Sequence, residues 1–428
     1  MGTILDVRAR TPLPVAVMAV VLVAAACSRG SDTTTTVATP APPTTVPATT
    51  TSSTAAPETH SVTGDVPPGL GYVIATAYDW MSDHESSRPS APARLLMHLR
   101  DVAAPTSLAL RATSVVADLP EGDQVAVVHV GRDVWYGVDS GGGWRVVGAH
   151  VAAATPWLGD EPRTLLVIGS DARVGEDQLR FRADSIHVLT LAPTLAGGTI
   201  VGFPRDSWLD LEQIIAANEV AGLPENELPT AGTKWTNLMA SRGPEIMLGT
   251  AEVLTGTDLE GYVITGFKGF EGLMSFLGEL IIELPTTMRT GNTWDDFAAG
   301  LHMLSPNRAL ELARIRKGLP RGDFDRSLNQ GRIMLAAMEM VQDMGVDAVP
   351  GLVSVLLEHA WTDLDTEPLF TMALAAFTMD PQDVTNMVLD GSIGTVAGSS
   401  VVFLNEDTLA AVFADISTDG VVDEPNEP

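Results

Sequence analysis

Residues 164–171 read Thr-Leu-Leu-Val-Ile-Gly-Ser-Asp, an apolar run that ends in glycine, serine and aspartate. A short apolar run closed by turn residues predicts a buried β-strand, here over 163–169. Further runs of this kind predict strands at 184–191, 199–203, 262–265 and 280–284. Helical periodicity predicts helices at 243–254, 267–277, 306–313, 325–344, 346–359 and 369–377. Residues 159–415 are therefore predicted to form one α/β domain.

Two carboxylates stand at the ends of neighbouring predicted strands. Asp171 follows the first strand and Asp184 begins the next. Ligands of α/β sheets collect at strand ends, and Mg²⁺ prefers a few carboxylates completed by water and phosphate oxygens. Either aspartate alone is better explained as a turn cap, whereas the pair favours a Mg²⁺ site. Strand alternation predicts that Asp184 lies on the face opposite to Ser185 and His187.

Arginines gather near these aspartates although the chain is acidic, with 54 Asp and Glu against 25 Lys and Arg and a net charge of -29. Arg182 precedes Asp184 by two residues, and Arg205 ends the third strand beside Asp206. Guanidinium groups bind phosphate oxygens bidentately, so the cluster indicates a phosphate ligand, such as a diphosphate held with a divalent cation. A single arginine of this kind is more commonly a solvated surface residue, but their joint position at strand ends favours the ligand site.

Arg314 and Arg316 impose a structural condition on this hypothesis. Side chains at i and i+2 point the same way in an extended chain but diverge by about 200° in a helix. Both arginines can bind one ligand only if the chain is extended there.

These motifs resemble those of the LytR-CpsA-Psr family, whose members attach glycopolymers to bacterial peptidoglycan. The resemblance spans residues 162–415, and its specificity lies in the order and separation of short motifs that are weak one by one. The motifs are 164–171, Arg182-Ala-Asp-Ser185, Pro204-Arg-Asp206, Lys234 with Asn237, 309–316, Gly322-Asp-Phe-Asp-Arg326 and Gln330. The resemblance implies a central mixed sheet flanked by helices.

The resemblance also implies roles for individual residues. Asp171 and Asp184 match the aspartates that the family associates with Mg²⁺. The family's arginines that hold a lipid-linked pyrophosphate correspond to Arg182, Arg205, Arg314, Arg316 and Arg326, and polar residues of the same motif correspond to Asp323 and Gln330. Arg182, Asp184, Arg205 and Asp206 are the candidate catalytic residues, and either Asp184 or Asp206 could be the general base.

The family's donor is a polyprenyl-pyrophosphate-linked glycan, its acceptor is a peptidoglycan hydroxyl, and its product is a phosphodiester. The prenyl chain lies in an apolar cleft between sheet and helices. The resemblance indicates two sets of candidates for that cleft, which without it would be ordinary core: Phe267, Phe270, Leu273, Met274 and Leu277, and Ile333, Met334, Ala337, Met338 and Val341.

The chain departs from the family pattern at four positions. Phe203 and His187 stand where smaller or apolar residues are usual, Arg242 interrupts a glycine pair, and Asn329 replaces an arginine before Gln330. The loss of that cation predicts weaker or altered substrate binding.

The amino terminus predicts export. Arginines precede an apolar run at 15–26, which is shorter than the about 20 residues of a membrane span, so residues 1–27 are predicted to be a signal peptide. Cys27, the single cysteine, follows three alanines in a possible lipobox and would be acylated, although an incidental cysteine is the alternative. The protein is thus predicted to be anchored to the outer face of the cytoplasmic membrane. Residues 28–68 are rich in Thr, Pro and Ser and predict a disordered stalk.

Residues 69–158 are predicted to form a small α+β accessory domain. Strands at 125–130, 134–138 and 144–147 fit a sheet whose last two strands form a hairpin around Asp139-Ser-Gly-Gly-Gly143. Trp135, Tyr136 and Trp144 fit cross-strand packing better than ligand stacking. Residues 416–428 are predicted to be an acidic tail.

The sequence supports an extracytoplasmic, Mg²⁺-dependent glycopolymer phosphotransferase. Two alternatives stay open: a polyprenyl-pyrophosphate phosphatase, in which water replaces the acceptor, and a non-catalytic polyprenyl-phosphate-binding envelope protein. Nucleic-acid binding is opposed by the negative charge. Serine-hydrolase and P-loop motifs are absent from the sequence.

Overall fold

The computed structural model describes residues 59–151, 154–173, 175–224, 229–289 and 296–422. The predicted signal peptide, Cys27 and most of the predicted stalk lie outside the described residues. In the described part, no single helix is long and apolar enough to cross a membrane. One helix pair, Asp323–Met344 with Val346–His359, has the length and composition but is bent by 107°.

An amino-terminal sheet precedes the predicted α/β domain. Its strands, in spatial order, are β1 (Ser61–Asp65), β2 (Ala109–Asp118), β3 (Gln124–Val130), β4 (Asp133–Asp139) and β5 (Arg145–His150). The helices α1 (Pro68–Ser82) and α2 (Ala93–His98) pack on one face. β1 pairs with β2 in parallel along its whole length. The predicted stalk therefore ends before β1 rather than at residue 68, because backbone pairing incorporates this polar segment into the sheet.

The predicted hairpin joins β4 to β5. The Asp139 carboxylate accepts hydrogen bonds from the backbone N–H groups of Gly141 (3.0 Å) and Gly143 (3.1 Å), and both glycines have positive φ. Trp135 and Tyr136 are buried, so the expected packing role is confirmed.

The carboxyl-terminal part is the predicted α/β domain, and its elements follow the sheet in chain order. The strands are β6 (Arg163–Ser170), β7 (Ala183–Leu191), β8 (Gly198–Gly202), β9 (Trp208–Leu209), β10 (Thr233–Lys234), β11 (Tyr262–Thr265), β12 (Leu280–Leu284), β13 (Gly300–Leu304), β14 (Trp361–Thr362), β15 (Val384–Val388), β16 (Gly391–Val396) and β17 (Ser399–Leu404). The helices are α3 (Leu211–Val220), α4 (Trp235–Arg242), α5 (Pro244–Thr255), α6 (Phe267–Leu277), α7 (Pro306–Arg314), α8 (Asp323–Met344), α9 (Val349–His359), α10 (Thr366–Thr378) and α11 (Glu406–Asp419).

The central sheet of this domain has the order β14-β11-β6-β7-β8-β15. It is mixed, since β6 and β8 are antiparallel to β7 but parallel to β11 and β15 respectively. Helices α3, α4, α5 and α11 contribute to the hydrophobic cluster on one face, and α9 and α10 pack on the other. The predicted architecture of a mixed sheet flanked by helices is confirmed.

The two sheets share a hydrophobic core, which corrects the prediction of a separate domain at 69–158. Val125 and Val127 of β3 pack in one cluster with Val353 of α9 and Phe370 of α10. Burial of such side chains stabilises a fold by about 25 cal/mol per Å² of apolar surface. The amino-terminal sheet is therefore part of the packing of the α/β domain.

The carboxyl-terminal boundary also differs from the prediction. Helix α11 continues to Asp419, and Ile416 is fully buried. Because this last turn packs in the core, the acidic tail predicted to begin at 416 starts later, and residues 423–428 lie outside the described part.

Candidate functional site

A cavity of about 480 Å³ lies between the central sheet and helices α6, α8 and α10. Its apolar lining includes Val167, Leu189 and Val263 from the sheet, Phe267, Phe270, Leu273 and Met274 from α6, Ile333, Met334 and Ala337 from α8, and Met372, Ala373 and Ala376 from α10. The remaining cleft candidates, Leu277, Met338 and Val341, do not line it. Leu277 and Met338 pack at the edges of the hydrophobic clusters beside the cavity, and Val341 is buried.

One end of the cavity is polar and rich in guanidinium groups. It is lined by Ser170, Asp184, Ser185, Arg205, Arg314, Arg316, Arg326 and Gln330. The cavity thus joins a long apolar surface to a cationic end, which suits a ligand that has an apolar chain and an anionic head.

Asp184 reaches this end because of a β-bulge. Gly169 pairs with Ser185 whereas the next residue, Ser170, pairs with Ala183, so Asp184 is an extra residue in β7. Ala183 is buried in the core on the opposite face, and the bulge turns Asp184 to the cavity side with Ser185. The face predicted for Asp184 by strand alternation is therefore wrong.

The carboxylates and arginines of the polar end form a connected network. Arg205 forms an ion pair with Asp184, and its backbone N–H donates to Asp323 Oδ2 at 2.9 Å. Arg326 Nη2 lies 2.6 Å from Asp323 Oδ1. Arg316 approaches the same Asp323 atom at 3.4 Å. Asp323 therefore holds three of the predicted arginine positions together.

Burial disfavours the charged form of Arg205 and of Arg326. For Arg205, the carboxylates of Asp184, Asp206 and Asp323 outweigh burial and raise the pKa. For Arg326, burial lowers the pKa although Asp323 counteracts it. Arginine remains a cation in either case, so both groups are permanent charges at the cavity end.

Arg314 and Arg316 meet the condition that the sequence imposed. Helix α7 ends at Arg314, and Ile315 is extended with φ -62° and ψ 127°. Both arginines line the cavity. The Arg314 guanidinium lies 4.4 Å from the centroid of the Phe267 ring, and no carboxylate in the described residues forms an ion pair with it. Arg314 is thus a cation that is available to a ligand.

Asp206 lies behind the cavity lining. Its carboxylate accepts a hydrogen bond from Lys234 Nζ at 3.1 Å and contacts Arg316 Nη2 at 3.5 Å. Gln330 donates to the Ala313 carbonyl at 2.9 Å, which fixes α8 against the end of α7.

Asp171 and Arg182 lie outside the lining. Their side chains form an ion pair of 2.5 Å, and the Asp171 N–H donates to the Arg182 carbonyl at 2.9 Å. The Arg182 side chain is 51% exposed. Ser170, the residue before Asp171, lines the polar end of the cavity. The ion pair therefore lies next to that end in the sequence, although its side chains do not line it.

The sequence did not indicate that α10 forms part of the cavity. Its segment Met372-Ala-Leu-Ala-Ala376 combines methionine with small residues, and Met372, Ala373 and Ala376 face the cavity. Small side chains at these positions leave space between α10 and α8. This pattern of methionine and alanine in the sequence could have indicated a cavity wall.

At three of the four positions that depart from the family pattern, the side chain packs or forms hydrogen bonds within the fold. Phe203 packs edge-on against Trp235 with centroids 4.9 Å apart. Arg242 is buried and donates to Asn218 and to the Pro224 carbonyl. Asn329 is buried and accepts a hydrogen bond from Arg332 at 2.6 Å. Asn329 and Arg242 are absent from the cavity lining, so neither contacts a ligand there.

The fourth departure, His187, predicts acid sensitivity. Its ring is fully buried, and burial lowers its pKa from 6.5 to about 4. Above pH 6.5 the imidazole is neutral in both folded and unfolded chains. As the pH falls towards 4 the unfolded chain binds the proton first, so stability is lost in this interval, by about 2 to 3 kcal/mol between pH 7 and 4.5.

Urea unfolding at pH 7 and 4.5 measures this loss. Because carboxylates titrate in the same interval, the comparison is made with His187→Gln, which cannot titrate. The pH-dependent loss should be smaller in that variant by the stated amount, and equal losses in the two proteins would contradict the assignment.

Comparison with known proteins gives a consistent result. Residues 147–417 match the LytR_cpsA_psr family. The polyisoprenyl-teichoic acid--peptidoglycan teichoic acid transferase TagU of Bacillus mycoides (strain KBAB4) is 25% identical over 213 residues, which cover 50% of this chain and 64% of the relative. The TagU of Oceanobacillus iheyensis is 22% identical over 254 residues, covering 59% of this chain and 74% of the relative.

A solved structure supports the fold. The crystal structure of protein gbs0355 from Streptococcus agalactiae has a TM-score of 0.51 and 19% identity, and the match covers 60% of this chain and 86% of that chain. The family match extends over more than half of the sequence, from β5 to α11, and includes every element that lines the cavity. The chain therefore belongs to the LytR-CpsA-Psr family.

Proposed function

We propose that this protein transfers a glycopolymer from a polyprenyl-pyrophosphate carrier to a hydroxyl of peptidoglycan, outside the cytoplasmic membrane. The observation that carries the proposal is the cavity, whose apolar walls run into an end with four arginines. A prenyl chain fits the walls and a pyrophosphate fits the guanidinium groups. The transferase relatives named TagU support the same class of reaction.

In the proposed reaction the acceptor oxygen bonds to the phosphorus next to the glycan. The bond from that phosphorus to the bridging oxygen breaks, and polyprenyl phosphate leaves. The hydroxyl proton passes to solvent or to the leaving phosphate. Asp184 and Asp206 are both paired with cations, so we assign the main catalytic effect to positioning and charge neutralisation by the arginines.

Mg²⁺ is part of the proposal. In the described residues no group of three or more His, Cys, Asp and Glu side chains is arranged to hold a metal. Asp171 and Asp184 follow the paired residues Ser170 and Ala183 of neighbouring strands, and two carboxylates with phosphate oxygens fit the preference of Mg²⁺. These two residues would hold the ion, which supplies charge neutralisation at the phosphates.

The location is proposed from the sequence. The apolar run at 15–26 and Cys27 fit an exported chain whose acylated cysteine anchors it to the outer face of the cytoplasmic membrane. The donor lipid and the peptidoglycan acceptor would both be within reach there.

Transfer of a labelled lipid-pyrophosphate glycan to a peptidoglycan oligomer tests the proposal. Purified protein should move the label into the oligomer, and chelation by EDTA should reduce the rate at least about tenfold, because phosphate charge is then less well neutralised. Release of phosphate without an acceptor would instead select the phosphatase. Tight binding of polyprenyl phosphate without turnover would select the non-catalytic protein.

A further inference from the structure

His187 connects the two structural elements that form the phosphate end of the cavity. It lies on β7, three residues after Asp184, and its Nδ1 is 3.1 Å from Ser185 Oγ. Its Nε2 is 3.0 Å from the backbone carbonyl oxygen of Ser327 in the first turns of α8. Ser185 lines the cavity, and Ser327 directly follows Arg326, which also lines it.

The partners determine the tautomer. The Ser327 carbonyl can only accept a hydrogen bond, and it lies closer to His187 Nε2 (3.0 Å) than the Ser327 hydroxyl does (3.4 Å), so Nε2 carries the proton and Nδ1 accepts. Ser185 must then donate its hydroxyl proton to Nδ1, so its oxygen can accept a hydrogen bond from a guanidinium group at the cavity end but cannot donate one to a phosphate. The fully buried, neutral ring therefore fixes both the position and the hydrogen-bonding direction of Ser185.

The neighbouring strand makes room for this arrangement. Gly202 of β8 pairs with His187, and a Cβ on it would lie 3.2 Å from His187 Nε2 and would collide with Ser327 Oγ. The ring is thus enclosed by β8 and α8, and its two hydrogen bonds are directed by a packed environment.

We propose that His187 is a positioning residue for the pyrophosphate site, a role that rests on the proposed function of this cavity. It sets the Ser185 oxygen on β7 and holds the beginning of α8, and with it Arg326, against the sheet. The apolar walls on α8 begin at Ile333, about 9 Å further along the helix from Ser327. Loss of the ring's hydrogen bonds should therefore affect recognition of the anionic head and leave recognition of the prenyl chain unchanged.

Two ligands that share the same farnesyl group, one with and one without phosphates, separate these effects. The full-length protein is titrated with farnesyl pyrophosphate and with farnesol, which lacks the phosphates. His187→Leu keeps an apolar side chain of suitable bulk but no hydrogen bonds, and farnesyl pyrophosphate should bind about tenfold more weakly while farnesol affinity stays the same. His187→Gln offers one acceptor and one donor on adjacent atoms and should restore the affinity to within about threefold.

Ser185→Ala provides a second test that does not depend on the folding of the leucine variant. It removes the hydrogen bond to His187 Nδ1, one of the two contacts that orient the ring, so farnesyl pyrophosphate should bind about threefold more weakly, again without a change for farnesol. Unchanged pyrophosphate affinity in either variant, or an equal loss for both probes, would overturn the positioning role. If the unchanged protein did not transfer glycan while the two variants still lost pyrophosphate affinity, the positioning role would stand and the transferase would be rejected.

Discussion

Replacing Arg205 with alanine should lower glycopolymer transfer by about a hundredfold or more, as expected when a preorganised donor to a transferring phosphoryl group is lost. Arg205 lines the cavity, pairs with Asp184 and has its pKa raised by three carboxylates. Its removal takes one cation from the phosphate end and leaves the Asp184 carboxylate without its ion-pair partner, so that negative charge opposes the incoming phosphates.

The same substitution should also destabilise the fold. The Arg205 side chain is 15% exposed and that of Asp184 is 24% exposed, so the pair is only partly screened by water. Removal of one partner should lower the free energy of unfolding by on the order of 2 kcal/mol, less than for a fully buried pair. Initial rates with the labelled lipid substrate and urea unfolding at pH 7 measure the two effects.

Arg205→Lys and Arg94→Ala are matched controls. Lysine retains the charge but not the bidentate fork, so stability should stay close to that of the unchanged protein while transfer still falls about tenfold. Arg94 forms exposed ion pairs with Asp160 and Glu161, and its alanine variant should transfer normally. Full activity in Arg205→Ala would show that the phosphates bind elsewhere.

The strand ends explain why much of this site could be predicted from the sequence. Asp171 and Arg205 each follow an apolar run, a pattern that can be read from a few neighbouring residues. A sheet places the residues at its strand ends along one edge, so their proximity could be predicted. The same holds for Arg314 and Arg316, whose i, i+2 spacing required the extended chain found after α7.

Other features depend on contacts between distant residues and could not be predicted. The bulge at Asp184 results from the pairing of β6 with β7, and strand periodicity alone gives the opposite face. The core shared by β3, α9 and α10 joins segments that are more than two hundred residues apart. From composition alone, these segments are predicted to lie in two different domains. His187 differs from the usual apolar residue, but its function in the fold depends on the Ser327 carbonyl on α8.

Filling the apolar cavity should weaken lipid recognition strongly without harming the fold. Ala337 on α8 lines the cavity, which α10 borders with Met372 and Ala373. In Ala337→Phe the added ring occupies space proposed for the prenyl chain, so affinity for farnesyl pyrophosphate should fall about a hundredfold, equivalent to about 2.7 kcal/mol. Because the ring fills existing space, the midpoint of thermal unfolding should stay the same or rise.

The cavity-filling result has to be distinguished from a general effect on α8. Glu339→Phe adds the same ring to an exposed position of this helix and should leave affinity unchanged. Inorganic pyrophosphate should bind Ala337→Phe as it binds the unchanged protein, since Arg205, Arg314 and Arg326 are not altered. If Ala337→Phe bound farnesyl pyrophosphate normally, the prenyl chain could not lie between α8 and α10, and the cavity would have to be assigned to another ligand.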